Sequence, residues 1–205
     1  MLKLGLTGGI ASGKSVVGEM FLKLGAHLLQ ADAVAHWLMQ PGHAVYEEVV
    51  RRFGPEILNP DGSINRPRLA EAAFGASPRV KELNQIVHPA VVAQQNEWME
   101  DIGQRDPKAI AIVEAALILE AGAAVRFDRL IVVTCQPEQR ILRYARRLGI
   151  SEDAARAEVT RRMAAQIPDE EKIKAADFVI DNSGSLDATE QQVQRVFAEL
   201  RLANQ

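Results

Sequence analysis

Residues 8 to 15, Gly-Gly-Ile-Ala-Ser-Gly-Lys-Ser, fit the phosphate-binding pattern G-x-x-x-x-G-K-[ST]. Each residue type answers a chemical need. Gly8, Gly9 and Gly13 lack a Cβ, so the backbone can turn tightly and bring its N–H groups up to phosphate oxygens. Lys14 is expected to reach the β- and γ-phosphates, and the Ser15 hydroxyl to bind Mg²⁺. The loop as a whole, from Gly8 through Ile10, Ala11 and Ser12 to Val16, is assigned to a nucleotide. Two carboxylates join it as candidates. Asp32 follows a short strand and opens a helix, where it suits a general base, a Mg²⁺ ligand or a plain N-cap, and spacing alone does not separate these. Glu114 ends an apolar run and is a possible Mg²⁺ organiser or a helix first-turn acid. His36, one turn after Asp32, reads as a packed or surface histidine.

These residues need a parallel sheet to hold them. Leu2, Leu4 and Leu6 alternate as in a strand, and Val16, Val17, Met20, Phe21 and Leu24 recur with helical spacing after the loop. That strand–loop–helix order turns the N–H groups and positive dipole end of the helix toward a phosphate. Further strands are expected at 26–30, 109–113, 130–134 and 177–180. The continuous apolar run Ala109 to Val113 suits a strand covered on both faces. Residues 41 to 105 read as mostly helical with no strand signal, with a turn at Asn59-Pro60-Asp61-Gly62 and a long helix from about Pro78 to Gly103. The fold expected is α/β: a five-stranded parallel sheet flanked by helices. The core comprises 1–30, 106–136 and 177–205, with a helical acceptor subdomain over 31–105 and a lid over 137–176.

The lid expectation comes from Arg140, Arg143, Arg146 and Arg147, four arginines on one helix in an acidic protein. They suit a clamp on phosphates or a solvated basic face, and the phosphate loop favours the clamp. Ser151 is expected to cap the next helix, which would carry Arg161, Arg162 and Gln166, and Asp187-x-x-Glu190 reads as a capping box for the last. In the helical segment, Arg51, Arg52, Arg66, Arg68, Arg79 and Lys81 are available to an anionic acceptor, although scattered charges usually form a solvated face.

The chain has 205 residues and a formal net charge of −3, which disfavours general binding to nucleic acid or a membrane surface. No apolar run is long enough to span a bilayer, and the first strand begins at residue 2, so neither a membrane anchor nor a secretory leader is expected. Cys135 is the single cysteine, which excludes an intrachain disulfide and fits a reducing cytoplasm.

Beyond these local readings, the chain resembles the dephospho-CoA kinase family nearly end to end. The resemblance rests on GLTGGIASGKS at the phosphate loop, ADAVAH at 31–36, DGSINRPRLAEAAF at 61–74 and Val87-His88-Pro89. It continues through EAALILE at 114–120, QPEQRILRYARRLG at 136–149, the RMAAQ run and FVIDNSGS at 178–185. It implies ATP-dependent, in-line phosphorylation of the ribose 3′-hydroxyl of dephospho-CoA, with ATP and Mg²⁺ as cofactors; separately from the resemblance, a monomer is expected. Residue by residue, it makes Asp32 the general base, with Lys14 and Arg143 in catalysis. It places Arg143 and Arg147 near the phosphates and adenine, Asn182 and Gly184 near the adenine, and Thr7, Asp32, Arg66 and His88 on the acceptor side. Three positions depart from the family pattern: Gln30 for its first Asp, Val16 for Thr after the loop serine, and Ala116 for Pro. Two rivals share the local chemistry. Another small-molecule kinase differs only in the family motifs, and a GTPase-like switch would need an Asn-Lys-x-Asp segment that the chain lacks.

Overall fold

The structure is a computed structural model and describes residues 1–75 and 79–204. The start expected for the long helix at Pro78 lies outside the described residues. The chain divides into two compact units, Met1–Leu29 with Asp101–Gln205, and Gln30–Glu100.

The elements run β1 (Leu2–Gly8), α1 (Lys14–Lys23), β2 (His27–Gln30), α2 (Ala31–Leu38), α3 (Ala44–Phe53), α4 (Arg66–Phe74) and α5 (Val80–Arg105). They continue with β3 (Ile110–Glu114), β4 (Arg129–Thr134), α6 (Pro137–Leu148), α7 (Glu152–Ala164), α8 (Asp169–Ala175), β5 (Phe178–Asp181) and α9 (Leu186–Ala203). The five strands form one sheet in the order β2-β3-β1-β4-β5. β1 pairs in parallel with β3 and β4, and β4 with β5. The sequence order reverses at β1, so the loop leaving its carboxyl end opens at the switch point where such sheets bind ligands.

Every residue of β3 is buried, as its unbroken apolar run requires. Leu4, Leu6, Ile112, Ile131, Val133 and Ile180 of the sheet pack with Val17 and Phe21 of α1 and with Val193, Val196, Phe197 and Leu200 of α9. A separate cluster joins Ile141, Tyr144 and Ala145 of α6 to Ala155 and Val159 of α7, and it includes Ile10 from the phosphate loop.

The helical unit has its own core, with Val45, Val49 and Phe53 of α3, Ile57, and Leu69 and Ala73 of α4 all buried. Asn65 caps α4 by accepting from the Arg68 N–H at 3.1 Å, and Asn59 accepts the Gly62 N–H at 3.0 Å in the expected turn. An isolated antiparallel bridge between Leu58 and Ile64 flanks that turn, where no strand pairing was expected.

Three local expectations are corrected. Asp32 is not an N-cap: α2 begins at Ala31 after Gln30, and no side chain caps it. α9 is capped by Ser185, whose hydroxyl accepts from the Ala188 N–H at 3.2 Å, so Asp187 stands in the first turn rather than in a capping box. α7 ends at Ala164, which leaves Gln166 beyond it, and α8 then follows as a helix that patterning did not foresee.

Candidate active site

The phosphate loop is the turn from the end of β1 into α1. Gly13 precedes α1 at φ 96° and ψ 23°, a left-handed conformation that side chains resist. A Cβ on Gly13 would stand 2.1 Å from Asn182 Nδ2, and one on Gly9 would stand 2.2 Å from Arg140 Nη1. Glycine is therefore required twice over: for backbone shape at residue 13, and for close approach of a polar side chain at both positions. Ala11, at φ 53°, is left-handed as well, and Gly8 also has a positive φ of 152°.

Within the loop, the Lys14 ammonium donates to the carbonyls of Gly8 at 3.0 Å and Gly9 at 3.1 Å. The Ser15 hydroxyl donates to Glu114 Oε1 at 2.7 Å. Glu114 is buried at the end of β3, and Thr7, also buried, donates to the Ala116 carbonyl at 3.3 Å. The two side chains expected at Mg²⁺ thus meet through hard oxygen donors. That chemistry suits a small divalent cation whose remaining ligands are phosphate and water oxygens. Among the described residues no three His, Cys, Asp or Glu gather as an all-protein metal site.

A second network closes over the loop. The Ser12 carbonyl accepts from Arg143 Nη1 at 3.2 Å and from Asn182 Nδ2 at 2.9 Å. Arg143 Nη2 donates to the Asn182 carbonyl at 2.8 Å, and the buried Thr189 hydroxyl donates to Asn182 Oδ1 at 3.0 Å. α6, the loop after β5 and α9 are thereby tied to one carbonyl of the phosphate loop. Gly184 lies two residues on, exposed, and Val16 is exposed on the outer face of α1.

Of the residues expected here, Thr7 to Ser15, Glu114, Arg143 and Asn182 come together. Arg147 is exposed and stacks over the ring of Tyr144, 5.3 Å from its centroid, with Arg162 at 5.9 Å. Glu158 accepts from Arg161 and Arg162, whose hydrogen bonds hold its carboxyl at about 2, well below the ordinary 4.5. Arg140 was grouped with these lid arginines, but its side chain is 1 % exposed, and it pairs with Asp169 beside Gly9. No sequence signal marked Asp169. The acids of the first turn of α8, after Pro168, were the trace available.

Asp32, Arg66 and His88 belong to the helical unit. Asp32 is exposed in the first turn of α2, Arg66 is exposed at the first position of α4, and His88 is exposed within α5. Several arginines of that unit are engaged locally. Arg51 pairs with Glu48, and Arg52 and Arg79 share Glu82 at 2.6 and 2.8 Å. The Arg79 hydrogen bond, ahead of that from Arg52, lowers the Glu82 pKa.

Comparison with known proteins extends this picture. The family CoaE, dephospho-CoA kinase, matches residues 2–188. Two proteins named dephospho-CoA kinase, from Aquifex aeolicus and Corynebacterium efficiens, are 40% and 38% identical over 98% of this chain and 98% of their own. The crystal structure of TT1252 from Thermus thermophilus superposes with a TM-score of 0.77 at 33% identity, covering 97% of each chain.

Proposed function

This chain belongs to the dephospho-CoA kinase family, and from that premise we propose that it transfers the γ-phosphoryl group of ATP to the ribose 3′-hydroxyl of dephospho-CoA. The products are coenzyme A and ADP. The observation that carries this reading is a complete phosphate loop, with Lys14, Ser15 and Glu114 gathered at the carboxyl edge of the sheet, in a chain of that family.

In the proposed reaction Asp32 accepts the proton of the ribose hydroxyl. The oxygen attacks the γ-phosphorus in line, and the bond to the β–γ bridging oxygen breaks as ADP departs. Lys14 exchanges its carbonyl partners at Gly8 and Gly9 for phosphate oxygens, a stronger charge-assisted contact. The N-terminus of α1 adds its unpaired N–H groups and positive dipole end toward the same oxygens. Arg143 adds positive charge beside Ser12, and Arg147 is assigned to the phosphates and adenine. Asn182 and Gly184 border the adenine, while Thr7, Arg66 and His88 serve the acceptor side. Ser15 and Glu114 would hold Mg²⁺, which neutralises charge on the β- and γ-phosphates when bound.

A monomer is the proposed working form. The buried free thiol of Cys135 accords with a reducing compartment, and the cytoplasm is the proposed location. Among the described residues no helix is long and apolar enough to cross a membrane.

The test is the position of the new phosphate. Purified protein is given Mg-ATP with dephospho-CoA, adenosine or AMP, and each product is read by ³¹P NMR and by sensitivity to a 3′-nucleotidase. A 3′-phosphomonoester formed from dephospho-CoA alone supports the reading. Phosphorylation of a rival acceptor, or at another hydroxyl, overturns it.

A further inference from the structure

The geometry points to Asp169 as a positioning residue for phosphoryl transfer, acting through Arg140 on the phosphate loop. This rests on the reading above that the loop holds ATP.

A buried guanidinium is expensive unless its charge and its donors are matched. Arg140 is 1 % exposed, and its partners divide its faces. Nε donates to the Cys135 carbonyl at 3.3 Å, and Nη2 pairs with Asp169 Oδ2. Nη1 is 3.5 Å from Asp169 Oδ1, a long contact, and it packs against Gly9, where a Cβ would come within 2.2 Å. One nitrogen is thus committed to the carboxylate while its neighbour is pressed against the second glycine of the phosphate loop. An arginine in that setting has one edge held and one edge turned to the loop.

Asp169 can hold that edge because its own segment is strapped down. Glu120 Oε1 accepts the Ile167 N–H at 3.2 Å and lies 2.8 Å from the Lys172 ammonium, whose side chain is 1 % exposed. Both ends of the stretch 167–172 therefore converge on a single carboxylate oxygen, with Asp169 between them. α8 has little apolar surface of its own: Lys172 is its buried residue. Charge rather than hydrophobic packing sets its place. Glu120 lies in the connection leaving β3, six residues after Glu114. The end of β3 and the connection leaving it therefore support the loop from two sides, through Ser15 by Glu114 and through Gly9 by Glu120, α8 and Arg140.

A purely structural ion pair would make the same contacts, so the test reads nucleotide handling and stability separately. Asp169→Asn, Asp169→Glu, Arg140→Met and the Arg140→Met/Asp169→Asn double variant are compared with the parent protein. The readouts are KM for Mg-ATP, KM for dephospho-CoA, kcat, direct binding of a fluorescent ATP analogue, and thermal melting. Asp169→Asn should raise the KM for ATP about tenfold and leave the KM for dephospho-CoA within about twofold. Asp169→Glu should recover most of that loss. In the Arg140→Met background, Asp169→Asn should change ATP-analogue affinity by no more than about twofold. The inference is overturned if Asp169→Asn leaves ATP handling unchanged, if both KM values move together, or if its full effect persists without Arg140.

Should Asp169→Asn fail to fold, Lys172→Met loosens α8 without touching Arg140 or Asp169. It should shift the KM for ATP in the same direction, and an unshifted value overturns the inference. A parent protein that binds the ATP analogue but leaves dephospho-CoA untouched would sink the proposed function. The coupling of Asp169 to Arg140 would still be read from analogue affinity.

Discussion

Gly13→Ala perturbs the phosphate loop where backbone shape and side-chain packing coincide. At φ 96° an alanine pays the left-handed penalty, about 1–2 kcal/mol. Its Cβ would also stand 2.1 Å from Asn182 Nδ2 and 3.3 Å from the attached Cγ. Asn182 is 3% exposed, so its amide cannot swing freely into solvent. Displacing it breaks its bond to the Ser12 carbonyl and disturbs the one from Thr189, each about 1 kcal/mol net. The sum is about 3–4 kcal/mol, equivalent to a fall in Tm of about 6–16 °C for a chain of this size. Gly25 supplies a matched control, because its φ is 99° but nothing lies within 4 Å of a Cβ there. Gly25→Ala carries the conformational penalty alone, about 1–2 kcal/mol. Thermal melting by circular dichroism should therefore place Gly13→Ala well below Gly25→Ala, and only Gly13→Ala should weaken ATP binding. Equal melting of the two variants, with ATP binding intact in both, would refute the claim that Asn182 is packed against the loop.

Arg143→Met removes donors to the Ser12 and Asn182 carbonyls and should lower kcat/KM for ATP by about tenfold to a hundredfold, read in steady-state kinetics. Glu114→Gln should raise the Mg²⁺ concentration needed for half-maximal turnover; an unchanged Mg²⁺ dependence would remove Glu114 from the metal's surroundings. The Glu158 carboxyl is held at about 2 against an ordinary 4.5, so its contribution is fully present above about pH 4.5 and is lost as pH falls toward 2. Because the side chain is 28% exposed, solvent screening reduces that contribution to about 1 kcal/mol. Glu158→Gln should melt a few degrees below the parent at pH 7, with the gap closing in acid; a gap constant from pH 7 to 3 would contradict the assignment.

The phosphate loop was legible because its chemistry is local: glycines, lysine and serine at fixed spacing between a strand pattern and a helix pattern. The fully buried β3 was equally plain from its unbroken apolar run. Arg140 was not. Its helix carries four arginines, and nothing in the local pattern says which one is buried. That is decided by Asp169, 29 residues further on, in a short helix whose fixing contact is an ion pair rather than an apolar stripe. The cap of α9 was misread for a related reason. Ser185 and Asp187 are both good caps two residues apart, and local propensity does not choose between them. The Asp32 cap failed by two residues, since Gln30 holds the cap position and α2 already starts at Ala31.

The most direct measurement is ADP release from Mg-ATP by purified protein, with and without dephospho-CoA, run beside Asp32→Asn. The account predicts turnover that requires dephospho-CoA and falls by about a hundredfold or more in the variant, while ATP still binds. Turnover that survives in Asp32→Asn would contradict the assigned base, and ATP binding with no dephospho-CoA-dependent turnover would contradict the proposed reaction itself.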